Sequence, residues 1–564
     1  MLALLFLVGS ALLVGGYVVY GRILDRKFQI DPSRTMPSET EYDGVDYVPA
    51  RTPILFGHHF SSIAGAGPIV GPIVAAMAFG WLPAFLWILV GMIMIGGVHD
   101  YTALVASIRH RGRSIGEIAR SIVSPATQRI FLGFIWLTLI YVLVVFLDLT
   151  ATTFTANGGV ASSSVLFIVL AVVFGFSIYR LRVPTGLGSL IFVPLVFLSI
   201  YVGQLMPIEA ASLPAVAGSS TKTWTLILIG YCYLASVTPV WALLQPRDYL
   251  SSFLLYATVA LSTVGLLFGG FDLSYDSFLG VSSPIGPLFP ILFVTIACGA
   301  VSGFHSVIAS GTTAKQLARE TDVKRIGYGA MTAEGIVALI ALATVMMLAS
   351  NSDLVAAYKA NEVSATGIFA AGMGRFTQVF GIPAKLGAAF GALAISTFLL
   401  TTLDTSTRLG RFLFHEFFGI RDVKARFLSS IATLAVPTLF VFLTFRDAQG
   451  NALPAWKAIW PVFGATNQLL AGLTFLVIIV WLRRLGHKGW FIAIPMVFMF
   501  AVTLTSLVML VVGGGQNSLV QGISVALIVL SLIMIALGLR ALRHHLTTSS
   551  TAPYTAETGG GQSS

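Results

Sequence analysis

Apolar runs of about 20 residues, the length a helix needs to cross a bilayer, recur along almost the whole chain. Of its 564 residues, 56% are hydrophobic and only 10% charged, too few polar groups to cover a soluble globule. The sequence therefore predicts an all-α polytopic membrane bundle. A β-barrel is excluded, because its strands would alternate over about 10 residues. Fifteen spans are expected, near 2–20, 54–79, 82–108, 129–148, 165–180, 187–205, 224–244, 251–270, 287–310, 328–349, 386–403, 427–445, 459–482, 490–512 and 519–542. Cys232 and Cys298 both lie in apolar runs, so neither a disulfide framework nor a paired-cysteine metal site is available. No cofactor or metal is expected.

The net charge of +10 would suggest nucleic acid in a soluble protein. Here the basic residues follow the membrane instead. With Met1 outside, the inward segments hold 27 Lys and Arg and the outward ones 6, which accounts for all 33. The bias predicts an outside N-terminus and a cytoplasmic C-terminus, and it removes nucleic acid as a partner. The first span lacks a basic start and a small-residue cleavage site, so it reads as a retained helix. Gly21 to Arg51 reads as an extended cytoplasmic linker, Ile368 to Phe380 as a short interfacial helix, and 547–564 as a disordered tail.

Two spans are interrupted. Phe56 to Pro72 carries Gly65, Gly67, Pro68, Gly71 and Pro72, and Cys298 to Thr313 carries Gly299, Gly303 and Gly311. Each such residue loosens or removes a backbone hydrogen bond that hydrocarbon cannot replace, so the segment must be buried in protein or line a cavity. Phe60-Ser61-Ser62-Ile63-Ala64-Gly65 resembles His305-Ser306-Val307-Ile308-Ala309-Ser310, and two spans later Phe146 to Thr150 resembles Thr402 to Ser406. The broken spans are seven apart and run in opposite directions. This predicts inverted repeats at 54–286 and 287–546, preceded by an extra helix and linker at 1–53, with substrate between the repeats. The candidate substrate residues are Ser62, Gly65, Ala66, Gly67, Ser302, Gly303, His305 and Ser306, the half-helix amides meeting a carboxylate.

Ionisable groups inside spans are functional candidates by default. Glu334 is either a first-turn carboxylate favoured by the helix dipole or a proton carrier. Asp148 and Asp404, each followed by hydroxyl residues, offer oxygens for a cation together with Thr401 and Thr402, although Asp404 has Arg408 one turn away. His58, His59 and Gln245 are candidates for gating or polar support. His99 and Asp100 read as interfacial residues beside a basic loop. Enzyme motifs fail: the glycines around Gly65 lack dinucleotide-loop spacing, and His415-Glu416 lacks the second histidine of a zinc peptidase.

The broken helices, together with Ser236 to Tyr249 (SVTPVWALLQPRDY), Gly327 to Gly335 (GYGAMTAEG), Thr401 to Arg411 (TTLDTSTRLGR) and Phe463 to Leu470 (FGATNQLL), resemble the carbon starvation protein A (CstA) family. The resemblance implies an inner-membrane importer of small nutrients, with peptides and pyruvate as associated substrates. It also implies kinship to the amino acid, polyamine and organocation transporter superfamily, and proton coupling less firmly. The combined expectation is a secondary active transporter of a carboxylate-bearing nutrient, not an enzyme. Proton coupling is preferred over sodium, and a channel or nutrient sensor is the rival class. A small molecule, a coupling cation and the bilayer are its expected partners; nothing in the sequence fixes an oligomeric state.

Overall fold

Each expected span coincides over much of its length with described helix in the computed structural model, which describes residues 1–44, 47–239, 242–420, 425–446, 450, 452–513 and 518–548. The first half contains α1 (Leu2–Lys27), α2 (Thr52–Ile63), α3 (Gly67–Phe79), α4 (Trp81–Arg109), α5 (Pro125–Ala156), α6 (Gly158–Tyr179), α7 (Thr185–Leu205), α8 (Ser220–Val237) and α9 (Leu244–Phe268). The second contains α10 (Leu288–Thr295), α11 (Gly303–Gly311), α12 (Glu320–Met346), α13 (Ala365–Thr377), α14 (Ala384–Phe418), α15 (Ala425–Val441), α16 (Ala455–Arg484), α17 (Trp490–Val512) and α18 (Ser518–Thr548). Among the described residues, 11 helices are long and apolar enough to cross a membrane, and α2 with α3, bent by 43°, makes a twelfth. The other three expected spans do not meet that measure. α8 opens on polar residues, α15 has 17 residues, and α10 and α11 have 8 and 9.

Burial sorts the helices. The most apolar window of α16 is wholly buried and that of α1 only 22% buried, so α16 lies at the centre and α1 at the rim. α5, α17 and the two short helices α10 and α11 pack on α16, while α7 and α18 turn most of their apolar surface outward, as lipid-facing helices do.

Both breaks form at the expected places and in the same way. α2 ends at Ala64 with φ −77° and ψ 59°, and α10 ends at Ile296 with φ −94° and ψ 65°. The chain resumes helix at Gly67 and at Gly303. The breaks are packed against each other, which keeps their backbone out of lipid. A Cβ on Gly67 would lie 2.3 Å from Cys298 Cβ, and one on Gly71 would lie 2.6 Å from the Thr295 carbonyl oxygen. Glycine is required at both positions by this approach.

Three peripheral expectations change. Gly21 to Arg51 is not a free linker: α1 continues to Lys27, and the following chain is pinned to the 312–325 loop. There Glu320, wholly buried, accepts from Arg34 Nη1 at 2.6 Å, Arg109 Nε at 3.0 Å and the Asp31 amide at 2.8 Å. Ser38 Oγ donates to the Leu317 carbonyl at 2.7 Å. α13 is a helix as expected, but Ile368, Phe369, Met373 and Phe376 are fully buried against its neighbours, so it is part of the bundle and not interfacial. Of the 547–564 tail, Thr547 and Thr548 close α18, and 549–564 lie outside the described residues, as does Asp46.

The contact between the breaks is testable. Gly67→Ala is expected to cost about 1–3 kcal/mol, the usual range for overpacking. Cys298→Gly in the same chain removes the opposing Cβ and should recover most of that loss. Thermal unfolding of the detergent-purified single and double variants, read as a double-mutant cycle, checks this.

Candidate functional site

The second break delivers a histidine into a buried acidic pair. Ser302 precedes α11, and Asn467 of α16 caps it: Asn467 Oδ1 accepts from the Phe304 amide at 2.9 Å and from Ser302 Oγ at 3.2 Å. His305 follows in the first turn. Its Nδ1 donates to Asp100 Oδ2 at 2.8 Å, and its Nε2 lies 3.4 Å from Glu334 Oε2 on α12. His99 Nδ1 donates to the other Asp100 oxygen at 3.0 Å. Asp100 reaches this point because α4 has a π turn at Met92–Gly96. Gly96 also has no side chain; a Cβ there would meet the Ala300 carbonyl at 2.3 Å. His59, on α2, shares a 2.8 Å hydrogen bond through Nδ1 with Thr313 Oγ1. All of these titratable side chains are 0% exposed, and neither Glu334 oxygen has a hydrogen-bond partner. Two carboxylates and one imidazole form a cluster whose charge runs from −2 to +1 according to the protons it holds. Burial makes each extra charge expensive, so proton number is the natural variable of this site.

A second cluster, built around Arg247, joins α8, α9, α14 and α2. Arg247 is fully buried; its Nη2 donates to Asp248 Oδ1 at 2.7 Å and its Nη1 to Tyr231 Oη at 3.0 Å and directly to Asp404 Oδ2. Tyr231 Oη donates to the same Asp404 oxygen at 2.8 Å. His58 Nδ1 lies 3.5 Å from Asp248 Oδ2. Asp404 therefore pairs with Arg247, not Arg408, whose guanidinium donates to the Ala235 and Thr238 carbonyls at the end of α8. A permanent cation already occupies the carboxylate that a coupling ion would need.

The remaining expected residues divide by position. Ser62 Oγ donates to the His58 carbonyl at 2.7 Å, and Ser306 Oγ shares a 3.0 Å hydrogen bond with Thr474 Oγ1. A Cβ on Gly65 would lie 2.9 Å from Thr402 Oγ1, which places α14 against the first break. Thr401 and Thr402 spend their hydroxyl protons on the carbonyls of Thr397 and Phe398. Gly303 sits against Asn467 and Ala471, where a Cβ would come within 2.3 Å of the Asn467 carbonyl oxygen. The amides of Ala66 and Gly67 have no hydrogen-bond partner among the described residues; of the expected open amides at Ser302 to His305, that of Phe304 is taken by Asn467. Asp148 is a helix cap: its Oδ2 accepts from the Trp456 amide at the start of α16 at 2.9 Å. Gln245 is exposed, and its Oε1 accepts from Tyr179 Oη at 2.8 Å, away from both clusters.

The model of the family described as "Carbon starvation protein CstA" matches residues 1–366 and 352–506. The chain belongs to the carbon starvation protein CstA family. It is 32% identical over 571 residues to "Peptide transporter CstA" of Helicobacter pylori (strain ATCC 700392 / 26695), covering 90% of this chain and 82% of that one. It is 31% identical over 564 residues to "Pyruvate/proton symporter BtsT" of Escherichia coli (strain K12), covering 86% and 78%. Among solved structures, the manganese transporter of Eremococcus coleocola in complex with an aromatic bis-isothiourea compound is 13% identical, with a TM-score of 0.43 over 90% of this chain and 99% of that one. That likeness is too slight to bear on fold or mechanism. Membership of the CstA family makes the chain a multi-pass membrane transporter and not an enzyme.

In this CstA-family chain, the residues that sequence reasoning missed sit inside apolar runs. Asp100 was set aside with His99 as interfacial because Arg109 and its basic neighbours follow closely; both are wholly buried, since α4 continues past them for more than two turns. Arg247 entered the charge count as a loop residue, yet it belongs to α9 and has no exposed surface. The available signal was Arg247-Asp248, adjacent opposite charges at the head of an apolar run. Arg247→Met should cost about 3–5 kcal/mol, because it leaves Asp404 and Asp248 buried without their cation. Adding Asp404→Asn should recover part of the loss, as measured by thermal unfolding of the purified variants.

Proposed function

We propose that the chain imports a small carboxylate-bearing nutrient, a peptide or pyruvate, across the inner (cytoplasmic) membrane. Transport proceeds by alternating access between inverted repeats at 54–286 and 287–546, with protons as the coupling ion. The observation that carries this reading is the contact of His305 with Asp100 and Glu334, all without exposure to solvent. The names of the Helicobacter and Escherichia relatives support the substrate classes, and the second supports the proton. The matching backbone geometry at Ala64 and Ile296 supports the repeat.

With Glu334 ionised and His305 protonated, an ion pair holds α11 to α12. Protonating Glu334 neutralises the cluster and removes that pair, leaving His305 with Asp100 alone. Proton number thus sets how tightly α11 is held. The substrate carboxylate would meet the Ala66 and Gly67 amides at the start of α3, where the helix dipole favours an anion. Ser62, Ala66, Ser302 and Ser306 are buried, so this conformation is closed around the centre and must open to load. Sodium is disfavoured by the guanidinium on Asp404. Separate buried clusters, in place of a ring of charges along a pore, argue against a channel.

Glu334→Gln should abolish accumulation driven by an inward proton gradient while preserving downhill counterflow, because the amide keeps the shape and cannot cycle a proton. Uptake and counterflow in proteoliposomes across pH 5.5 to 8, a range bracketing an ordinary histidine, with and without sodium, make the comparison. Parent-rate accumulation by the variant would remove Glu334 from coupling, and uptake that followed sodium would end the proton reading.

The orientation proposed is N-terminus outside and C-terminus cytoplasmic, from the 27 to 6 division of Lys and Arg. Reporters fused after Thr547 and within the loop from Asp272 to Pro287 should report opposite faces of the membrane. Both on one face would overturn it.

A further inference from the structure

A cavity of about 660 Å³, lined by no residue of either buried cluster, lies between α1, α2, α9 and the start of α12. Its two ends differ in chemistry. One is polar and carries Arg319, Arg325 and Thr52; the other is walled by the rings of Tyr17, Phe56 and Tyr256. Val19 and Ile54, two residues from the lining Tyr17 and Phe56, are exposed.

The polar end has charge to spare. Asp322, nearly buried, is shared by two guanidiniums: Arg319 Nε lies 3.2 Å from its Oδ2 and Arg325 Nη1 lies 3.2 Å from its Oδ1. Thr52 Oγ1 donates to Oδ2 as well, at 2.8 Å, and receives Arg319 Nη2 at 3.3 Å. Lys324 adds a cation 5.4 Å from the Tyr17 ring centre, and Asp25, 3.5 Å from its Nζ, offsets it. Three cations against two carboxylates leave one net positive charge. The two arginine side chains remain 63% and 62% exposed, and Arg319 Nη1 with the Nε and Nη2 of Arg325 have no partner among the described residues. A cationic donor cluster over an aromatic trough fits a molecule with an anionic oxygen-rich head and an apolar body.

We propose that this cavity binds an anionic phospholipid, its phosphate on Arg319 and Arg325 and the upper part of an acyl chain along Tyr17, Phe56 and Tyr256. The arginine fork suits phosphate oxygens, and basic recesses between membrane helices are where such headgroups are held. Free inorganic phosphate shares the head chemistry but has nothing to place against the rings.

The test is native mass spectrometry of the full-length purified protein titrated with short-chain phosphatidylglycerol, short-chain phosphatidylcholine and inorganic phosphate. One phosphatidylglycerol should bind in preference to phosphatidylcholine, and phosphate should not displace it. Arg319→Gln with Arg325→Gln should weaken it about 30-fold, from roughly a fivefold contribution per basic residue near a membrane surface. Because that pair also supports Asp322, a second variant guards against misfolding. Gly329 lines the cavity with room for a Cβ, 3.5 Å from Tyr17 Cε2 and 3.7 Å from Phe56 Cε2. Gly329→Leu should fill the trough and lose the lipid with both arginines in place. Equal binding of the two lipids, unchanged binding in either folded variant, or displacement by phosphate at matched concentration would each overturn the proposal.

Discussion

Backbone amides and carbonyls have no water to turn to inside a bilayer, and the centre of this structure follows from that. A helix broken at mid-depth is tolerable only when protein covers the break. Here each break covers the other: Gly67 lies on Cys298 and Gly71 on the Thr295 carbonyl. Asn467 then supplies the acceptor that the start of α11 lacks, and Asp148 does the same for α16 from a neighbouring helix. Charged side chains gather where this polar, protein-lined interior already exists.

The two charge clusters differ in what they can do. Arg247 is an arginine, effectively always protonated, so its contacts with Asp404 and Asp248 are permanent links among α8, α9 and α14. The Asp100–His305–Glu334 cluster has no fixed cation and changes its charge with proton number. His58 and His59, neighbours on α2, reach one cluster each: His58 lies beside Asp248 and His59 beside Thr313 near the triad. A single turn of the first broken helix therefore touches both a rigid element and a titrating one.

Much of this was legible in the sequence. Hydropathy located the long helices, because burial in lipid and burial in protein both demand apolar runs. The breaks were legible because proline and glycine leave few alternatives at membrane depth. Partners from distant spans were not legible: nothing local in Asp100 announces that a π turn and Gly96 will aim it at His305, and nothing in Asp404 selects Arg247 over the nearer Arg408. Ends of helices misled most. α14 runs to Phe418, so Asp404 lies within it and not just past its end. Sequence marks where hydrophobicity fades, which is not where hydrogen bonding stops.

The buried carboxylate of Glu320 has a mechanical meaning. It fastens Arg34, which follows the first helix, and Arg109, at the end of α4, to the start of α12. Prising both guanidiniums from this wholly buried carboxylate would strand a charge, at about 3–5 kcal/mol. Under alternating access, a motion that separated these three pieces would bear that load on every cycle. If the proposed alternating access holds, the cheaper course is to carry them as one body, with the Glu320 clasp kept closed.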